Sequence, residues 1–395
     1  MNVKKKVIFW GCGKIAKEMY QKYKDEISFA YGISNNSKEV IFIPESGMEY
    51  EVKKPENKRK NADGLIVICS ADYERIAEQL LLLGYTPFVD FLDYQLADIL
   101  WSGKKIILLY GPCHLRGVTD CLKEAKAFLE RYIPVYYPNY MFLNFYQQER
   151  FQYLIHHCSV FVYGIAVSPE NYRKNLAILG ALEPDVKRIC LHIVYFGGYF
   201  PQKKRAFNNM NEFAIKSEGA DYTPFSYGDS WLNECIAGGM ELDDVFDHIE
   251  NQDIYEKDFV LKYIEGEWQR LKYQEQESDF KIAEYIEKNY RQMRLFRNEA
   301  HMENQILYQY AVQLLQHLDI DSEINMPEIP LMNCSQHFIY PCVAKILGLQ
   351  WDVWSEELDL YTYAGWKKVT VREYIRKYYE TCYEIYQLKQ KHFLP

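Results

Sequence analysis

The chain has no run of apolar residues near the roughly 20 that a membrane-spanning helix requires. Its strongest stretches, Val160 to Tyr163 and Ile189 to Phe196, are short and soon interrupted, so no membrane span is expected. The basic start, Lys4-Lys5-Lys6, leads into an apolar run too short for a secretion signal and without a cleavage pattern, which points to a cytoplasmic location. There is no C-x-x-C pair: the ten cysteines stand at 12, 69, 113, 121, 158, 190, 235, 334, 342 and 382, without disulfide-like or zinc-like spacing. The histidines, the His156-His157 pair included, offer no ligand spacing either, so no metal is expected. Positive charge is in deficit, with 46 Lys and Arg against 55 Asp and Glu for a net charge of −9, which disfavours nucleic acid as a partner. Repeats and low-complexity tracts are also missing. These absences leave small molecules as the expected partners.

What is present is the material of packed domains. A length of 395 residues, with 48% hydrophobic and 26% charged, gives a prior of two or three globular domains. The 35 tyrosines suit a sugar or nucleotide site, but read first as compositional bias. The apolar strand Val7 to Trp10 runs into Gly11-Cys12-Gly13-Lys14-Ile15-Ala16, a G-x-G-x-x-A turn opening a helix. Further strands are expected at Ile27 to Ile33, at Gly64 to Cys69 and near Pro87 to Asp90, with a helix from Tyr73 to Leu83. Strand, helix and strand in this order specify a small parallel sheet.

The pattern resets around Trp101-Ser102-Gly103, because Ile106 to Tyr110 is again a buried strand followed by a turn, Gly111-Pro112-Cys113-His114. The expected organisation is therefore α/β: a Rossmann-like domain over 1–101, then a second α/β domain over 102–395 with a helical C-terminal part. In the second domain a helix is expected from Val118 to Arg131 and another near Glu170 to Leu182. Strands are expected near Ile133 to Tyr137, Val160 to Tyr163 and Arg188 to Ile193. Helices at Tyr255 to Tyr273, Phe280 to Arg291, Met302 to His317 and Val371 to Lys389 follow.

In the first turn Gly11 sits where the chain bends, and Gly13, Lys14 and Ile15 where backbone approaches a phosphate. A dinucleotide site also wants an acid after the second strand, where this chain offers Asn35. A nucleotide-sugar suits that turn better than NAD does, and a turn kept only for the fold suits it as well. In the second turn Cys113 lies between a buried strand and a helix, where unpaired N–H groups and the helix dipole favour a thiolate and can hold an oxyanion. Such a cysteine, with a histidine from elsewhere, is an acyl-transfer nucleophile or else a buried thiol at a tight turn. His114 diverges from its neighbour and reads as a substrate contact. His301, in a loop leading into a long helix, reads as the proton carrier. Ser168 reads as an N-cap before it reads as a pocket residue.

These residues carry two family resemblances. The first hundred, through Gly11 to Ala16, Gly32-Ile33-Ser34-Asn35-Asn36 and Ile66 to Cys69, resemble the small Rossmann-like domain that precedes many bacterial sugar-modifying enzymes. That likeness implies a nucleotide-sugar ligand. Residues from about 104 to 320 resemble the WcbI family of capsular polysaccharide biosynthesis proteins. The family's G-N-C-Q stands here as Gly111-Pro112-Cys113-His114, and its P-N-x-Y-F-x-G-Y-x-P-D block as His192 to Gln202 with Tyr195, Gly198 and Tyr199 matched. Its L-F, N-H-P and asparagine element appears as Leu295-Phe296, Asn298, His301-Met302 and Asn304. The resemblance implies a coenzyme A-dependent acetyltransferase acting on a sugar or nucleotide-sugar for capsular or exopolysaccharide in bacteria. It places coenzyme A, or acetyl-CoA, at Gly111, Pro112, Arg116, Ser168, Tyr195, Gly198, Tyr199 and Asn304. The Lys203-Lys204-Arg205 run is a further phosphate donor or simply a solvated loop. An esterase or deacetylase on acylated sugars, and a non-catalytic coenzyme A- or nucleotide-binding module, remain the alternatives.

Overall fold

The computed structural model describes residues 4–35, 50–55, 64–140, 143–165, 169–202, 225, 227–332, 334–362 and 365–392. The chain divides into two compact units. One consists of Met1–Tyr110, Leu129–Val162 and Ala166–Arg188, the other of Gly111–Phe128, Tyr163–Ile165 and Ile189–Pro395. It is a mixed α/β protein with two parallel sheets, the class that the alternation of strand and helix predicts. Among the described residues no helix is long and apolar enough to cross a membrane.

The N-terminal elements run β1 (Lys5–Trp10), α1 (Lys14–Tyr23), β2 (Ile27–Ile33), β3 (Val52–Lys53), β4 (Leu65–Ile68), α2 (Tyr73–Leu82), β5 (Phe91–Asp93) and α3 (Tyr94–Trp101). The five strands form a parallel sheet in the order β3-β2-β1-β4-β5. Val7, Ile8 and Phe9 in the central β1 are fully buried, as a strand covered on both faces must be. The last strand starts at Phe91, just beyond the end of the stretch expected to hold it. Thr86 to Asp90 close a turn instead, with Asp90 N–H donating to Thr86 O at 2.9 Å, Thr86 N–H to Asp90 Oδ2 at 2.8 Å, and Phe88 at φ +62°.

Next come β6 (Lys105–Gly111), α4 (Cys113–Leu122), α5 (Lys126–Arg131), β7 (Tyr132–Pro138), α6 (Phe145–His157), β8 (Cys158–Gly164), α7 (Pro169–Ala181) and β9 (Lys187–Leu191). Their strands form the second sheet in the order β7-β6-β8-β9. The single helix expected over Val118 to Arg131 is two, because the α4 carbonyls of Cys121 and Leu122 are closed off by the N–H groups of Glu124 and Ala125. Helix α6 carries Tyr146 into the core formed by Ile8, Trp10, Ile66, Ile68 and Phe91. The buried Asp93 carboxylate caps α3 and accepts from Tyr146 Oη at 2.9 Å and Arg150 Nε at 3.0 Å, so this charge is paired and hydrogen-bonded.

The rest of the chain is mainly helical: α8 (Ser230–Gly238), α9 (Leu242–Asn251), α10 (Lys257–Glu275) and α11 (Ala283–Asn289). A short hairpin follows, β10 (Phe296–Asn298) and β11 (His301–Met302), then α12 (Asn304–His317), α13 (Pro341–Leu347), a second hairpin, β12 (Glu357–Thr362) and β13 (Gly365–Thr370), and α14 (Val371–His392). Helix α12 packs closely on α4. A Cβ placed on Gly117 would lie 2.7 Å from Leu307 Cδ1, so only glycine permits this approach.

Candidate functional site

The turn after β6 is built without side-chain capping. Pro112 occupies the N-cap of α4 in extended geometry and supplies no side-chain acceptor to the first N–H groups of the helix. Gly111 is required by packing, since a Cβ there would meet Leu115 Cδ1 at 2.6 Å. Cys113, half-buried, opens the helix. The N–H groups of His114 and Cys113 and the Arg116 guanidinium all lower its pKa, but burial outweighs them and pushes the thiol up to about 11. Desolvation is thus the larger influence on this sulfur, opposing the thiolate that the helix start favours.

His114 is 2% exposed, and its Nε2 lies 2.8 Å from Ala300 O. Burial lowers its pKa to about 4, so the ring is neutral. Its ring stands 6.0 Å from that of His301 at 15° between planes, and 5.9 Å from that of Tyr195 in edge-on contact. His114 and His301, far apart in sequence, thus lie beside each other.

His301 lies on β11 of a tight hairpin where a plain loop was expected, and Asn298 on the facing strand governs it. The buried Asn298 Oδ1 accepts from Ala300 N–H at 3.0 Å, which identifies that atom as the oxygen, and it stands 3.0 Å from His301 Nδ1. Nδ1 must then carry the hydrogen, which leaves Nε2 as the basic nitrogen. Beneath the hairpin, Arg297, 1% exposed, donates to Cys334 O at 2.9 Å, to Glu303 Oε2 at 3.1 Å and to Asp359 Oδ2 at 3.3 Å, and lies over the Trp366 ring. Asp359 and Gln336 exchange two further bonds of 2.8 Å, one of each residue's backbone N–H groups donating to the other. These contacts fix the strand that presents His301.

The Tyr195 to Tyr199 segment forms the next wall. Phe196 N–H donates to Glu299 O at 2.9 Å, and the buried Glu267 carboxylate accepts from Gly197 N–H at 2.7 Å and pairs with Arg270. A Cβ on Gly197 would strike Tyr263 Oη at 2.5 Å, and one on Gly198 would strike the Phe196 ring. Tyr227 completes the cluster, with its ring 5.6 Å from His301 and 6.0 Å from His337; burial raises its hydroxyl pKa and Cys113 and Cys334 act on it electrostatically. Tyr227, Asn298, Glu299, Cys334 and His337 were given no role from sequence. Asn298 alone had a signal there, three residues before the chosen histidine.

Other expected residues are occupied differently. Arg116 is exposed on α4. Tyr199 is fully buried and donates to Tyr290 O at 2.6 Å. Asn304 clamps a loop, with Nδ2 donating to Pro327 O and Ile329 O and Oδ1 accepting from Leu331 N–H. Ser168 and the Lys203-Lys204-Arg205 run lie outside the described residues. In the first turn Gly11 has φ +100° and no room for a Cβ, which would sit 2.5 Å from Cys69 O. Above Gly13 a Cβ would meet nothing within 4 Å among the described residues. Lys14 is exposed and pairs with Glu18 at 3.7 Å, Ile15 is half-buried and Asn35 is exposed.

Together the fold and this cluster define a Rossmann-like α/β protein whose chemistry-bearing side chains gather around the strand-to-helix turn after β6. The chain belongs to the WcbI family: the family model for the polysaccharide biosynthesis enzyme WcbI matches residues 106–323, more than half of its length. It is similar in fold to a solved structure of WcbI, described as a novel polysaccharide biosynthesis enzyme in its native form without a disulfide bond between coenzyme A and a cysteine. The TM-score is 0.57 and the identity 17%, over 71% of this chain and 90% of that one. No curated protein matches the chain.

Proposed function

We propose that this protein is a coenzyme A-dependent acyltransferase, moving an acetyl group to a hydroxyl of a sugar or nucleotide-sugar used in bacterial capsular or exopolysaccharide assembly, in the cytoplasm. The observation that carries the reading is the ring of His301, whose Nδ1 hydrogen is set by Asn298, lying 6.0 Å from that of His114, the residue after Cys113 at the α4 helix start. Family membership in polysaccharide biosynthesis supports it, as does the mention of coenzyme A with the solved WcbI.

The residues present fit such a ligand. Among the described residues a buried acceptor nitrogen on His114 has no hydrogen-bond partner, which suits a guest with an N–H or O–H donor, and no side-chain cap closes the start of α4, which suits an acyl oxygen or a phosphate. Gly111, Pro112 and Arg116 would hold the phosphates, with Tyr195 alongside. Bound acetyl-CoA supplies an acyl group activated as a thioester. His301 Nε2 would take the proton of the attacking hydroxyl and return it to the coenzyme A thiolate that leaves as the thioester C–S bond breaks, while the N–H groups of Cys113 and His114 would face the developing oxyanion. Burial pushes the Cys113 thiol pKa up, which favours direct transfer, with the cysteine shaping the site. At the first turn only the open space above Gly13 favours a nucleotide-sugar.

The test is to incubate the purified protein with coenzyme A and acetyl-CoA and follow thermal shift and intact mass. Binding without a retained acetyl group is expected, with acetyl transfer to a sugar acceptor lost in His301→Ala. An acetyl group retained by the protein and absent in Cys113→Ala would establish the covalent route, and failure of either compound to bind would sink the acyltransferase reading.

A further inference from the structure

The imidazole of His114 has one nitrogen in use. Its Nε2 faces Ala300 O at 2.8 Å, and a carbonyl oxygen only accepts, so Nε2 carries the hydrogen. The ring is neutral, so Nδ1 is the bare nitrogen with its lone pair available. That atom is buried and has no hydrogen-bond partner among the described residues. A buried acceptor left in this state costs the fold the desolvation of the group with nothing in return, and native interiors rarely keep one without a use. Its neighbours are the chemistry-bearing groups: Cys113 precedes it, and the rings of His301 and Tyr195 lie 6.0 and 5.9 Å away.

We propose that His114 Nδ1 is a ligand-recognition acceptor, receiving a hydrogen bond from a neutral N–H or O–H donor on the molecule bound beside Cys113 and His301. The inference rests on the acyltransferase reading, since it is the ligands of that reaction that it sorts. Two sources of the donor exist there: the amide N–H groups of the pantetheine arm of coenzyme A, and a hydroxyl of the sugar acceptor other than the one that reacts. Carboxylates and phosphates are rejected at this point, because at neutral pH they meet an acceptor with another acceptor. The WcbI pattern has glutamine here. A glutamine can reproduce the N–H that faces Ala300 O, but it does not place a bare nitrogen where Nδ1 lies.

The experiment follows the His114 Nδ1 resonance by NMR in the full chain labelled with 15N-histidine, alongside calorimetry. An upfield displacement on adding coenzyme A assigns the donor to the pantetheine arm. A displacement only when a panel of methyl hexopyranosides is added to the coenzyme A-loaded protein assigns it to the acceptor hydroxyl. A resonance unmoved by saturating coenzyme A with or without the glycosides overturns the proposal. His114→Gln is expected to weaken the responsible ligand roughly 3- to 10-fold, the value of one hydrogen bond, and unchanged affinity would also overturn it. Absence of coenzyme A binding to the native protein would instead fail the acyltransferase reading and take this inference with it.

Discussion

At Cys113 the backbone N–H groups of residues 113 and 114 and the Arg116 guanidinium draw the thiol pKa down, while burial drives it further up, to about 11 against an ordinary 9.0. A nucleophile in that state is released only when a base removes its proton in the reacting complex. Alkylation of Cys113 by iodoacetamide, read peptide by peptide in a mass spectrometer, should therefore keep accelerating as pH rises past 9 towards 11. A plateau below pH 8 would show instead that the helix start stabilises the thiolate. The position of this thiol between strand and helix was legible in the sequence. Its desolvation was not, because burial at Cys113 is set by residues such as Tyr195 and Tyr227 that arrive from other segments. Asn298 was hidden for a related reason: an amide that selects a tautomer is recognised by what it bonds, and nothing in the local pattern shows the hairpin that brings it to His301.

Among the elements, the packing of α4 on α12 fixes how the strand-to-helix turn stands to the hairpin that precedes α12. Gly117 and Leu307 form its closest point, with Cβ distances of 2.7, 3.0 and 3.3 Å to three Leu307 carbons. Gly117→Ala should gain about 1 kcal/mol of helix propensity and lose about 1–3 kcal/mol to overpacking, for a net loss of up to about 2 kcal/mol in denaturant unfolding. In a Leu307→Ala background the same change should become neutral or stabilising; an equal cost in both backgrounds would show that this contact is not its cause. The elements themselves were largely readable. Buried runs such as Ile106 to Tyr110 gave the parallel strands, and apolar periodicity gave α12 and α14 within a few residues. The hairpins β10-β11 and β12-β13 and the helix α6 escaped notice. Strands of two or three residues carry no period, and the β12-β13 strands, though longer, were not marked by an obvious turn signal. Tyr146 and Arg150 in α6 owe their place to Asp93, more than fifty positions earlier.

For the molecule as a whole, two histidines deep in the second unit make its stability depend on pH. Burial lowers both His114 and His192 from 6.5 to about 4, and neither ring nitrogen of His192 has a hydrogen-bond partner among the described residues. Above pH 6.5 both rings are neutral in the folded and unfolded chain, and the full stability is present. Between 6.5 and 4 the unfolded chain takes up protons that the folded one refuses, so stability falls with pH by up to about 3 kcal/mol per histidine. In the first unit His156 and His157 are exposed and contribute no such burial. Acid should therefore weaken the second unit first, well before general protonation of the carboxylates. Urea titrations at pH 7, 5.5 and 4.5 measure this directly. His192→Phe keeps a ring beside Tyr310 but removes one proton-binding group, so its stability should fall less steeply than that of the native chain, by about 2–3 kcal/mol at the acid end. Parallel slopes for the two proteins would mean that the fold accepts the proton at His192 after all, and that this buried ring is not what limits the molecule in acid.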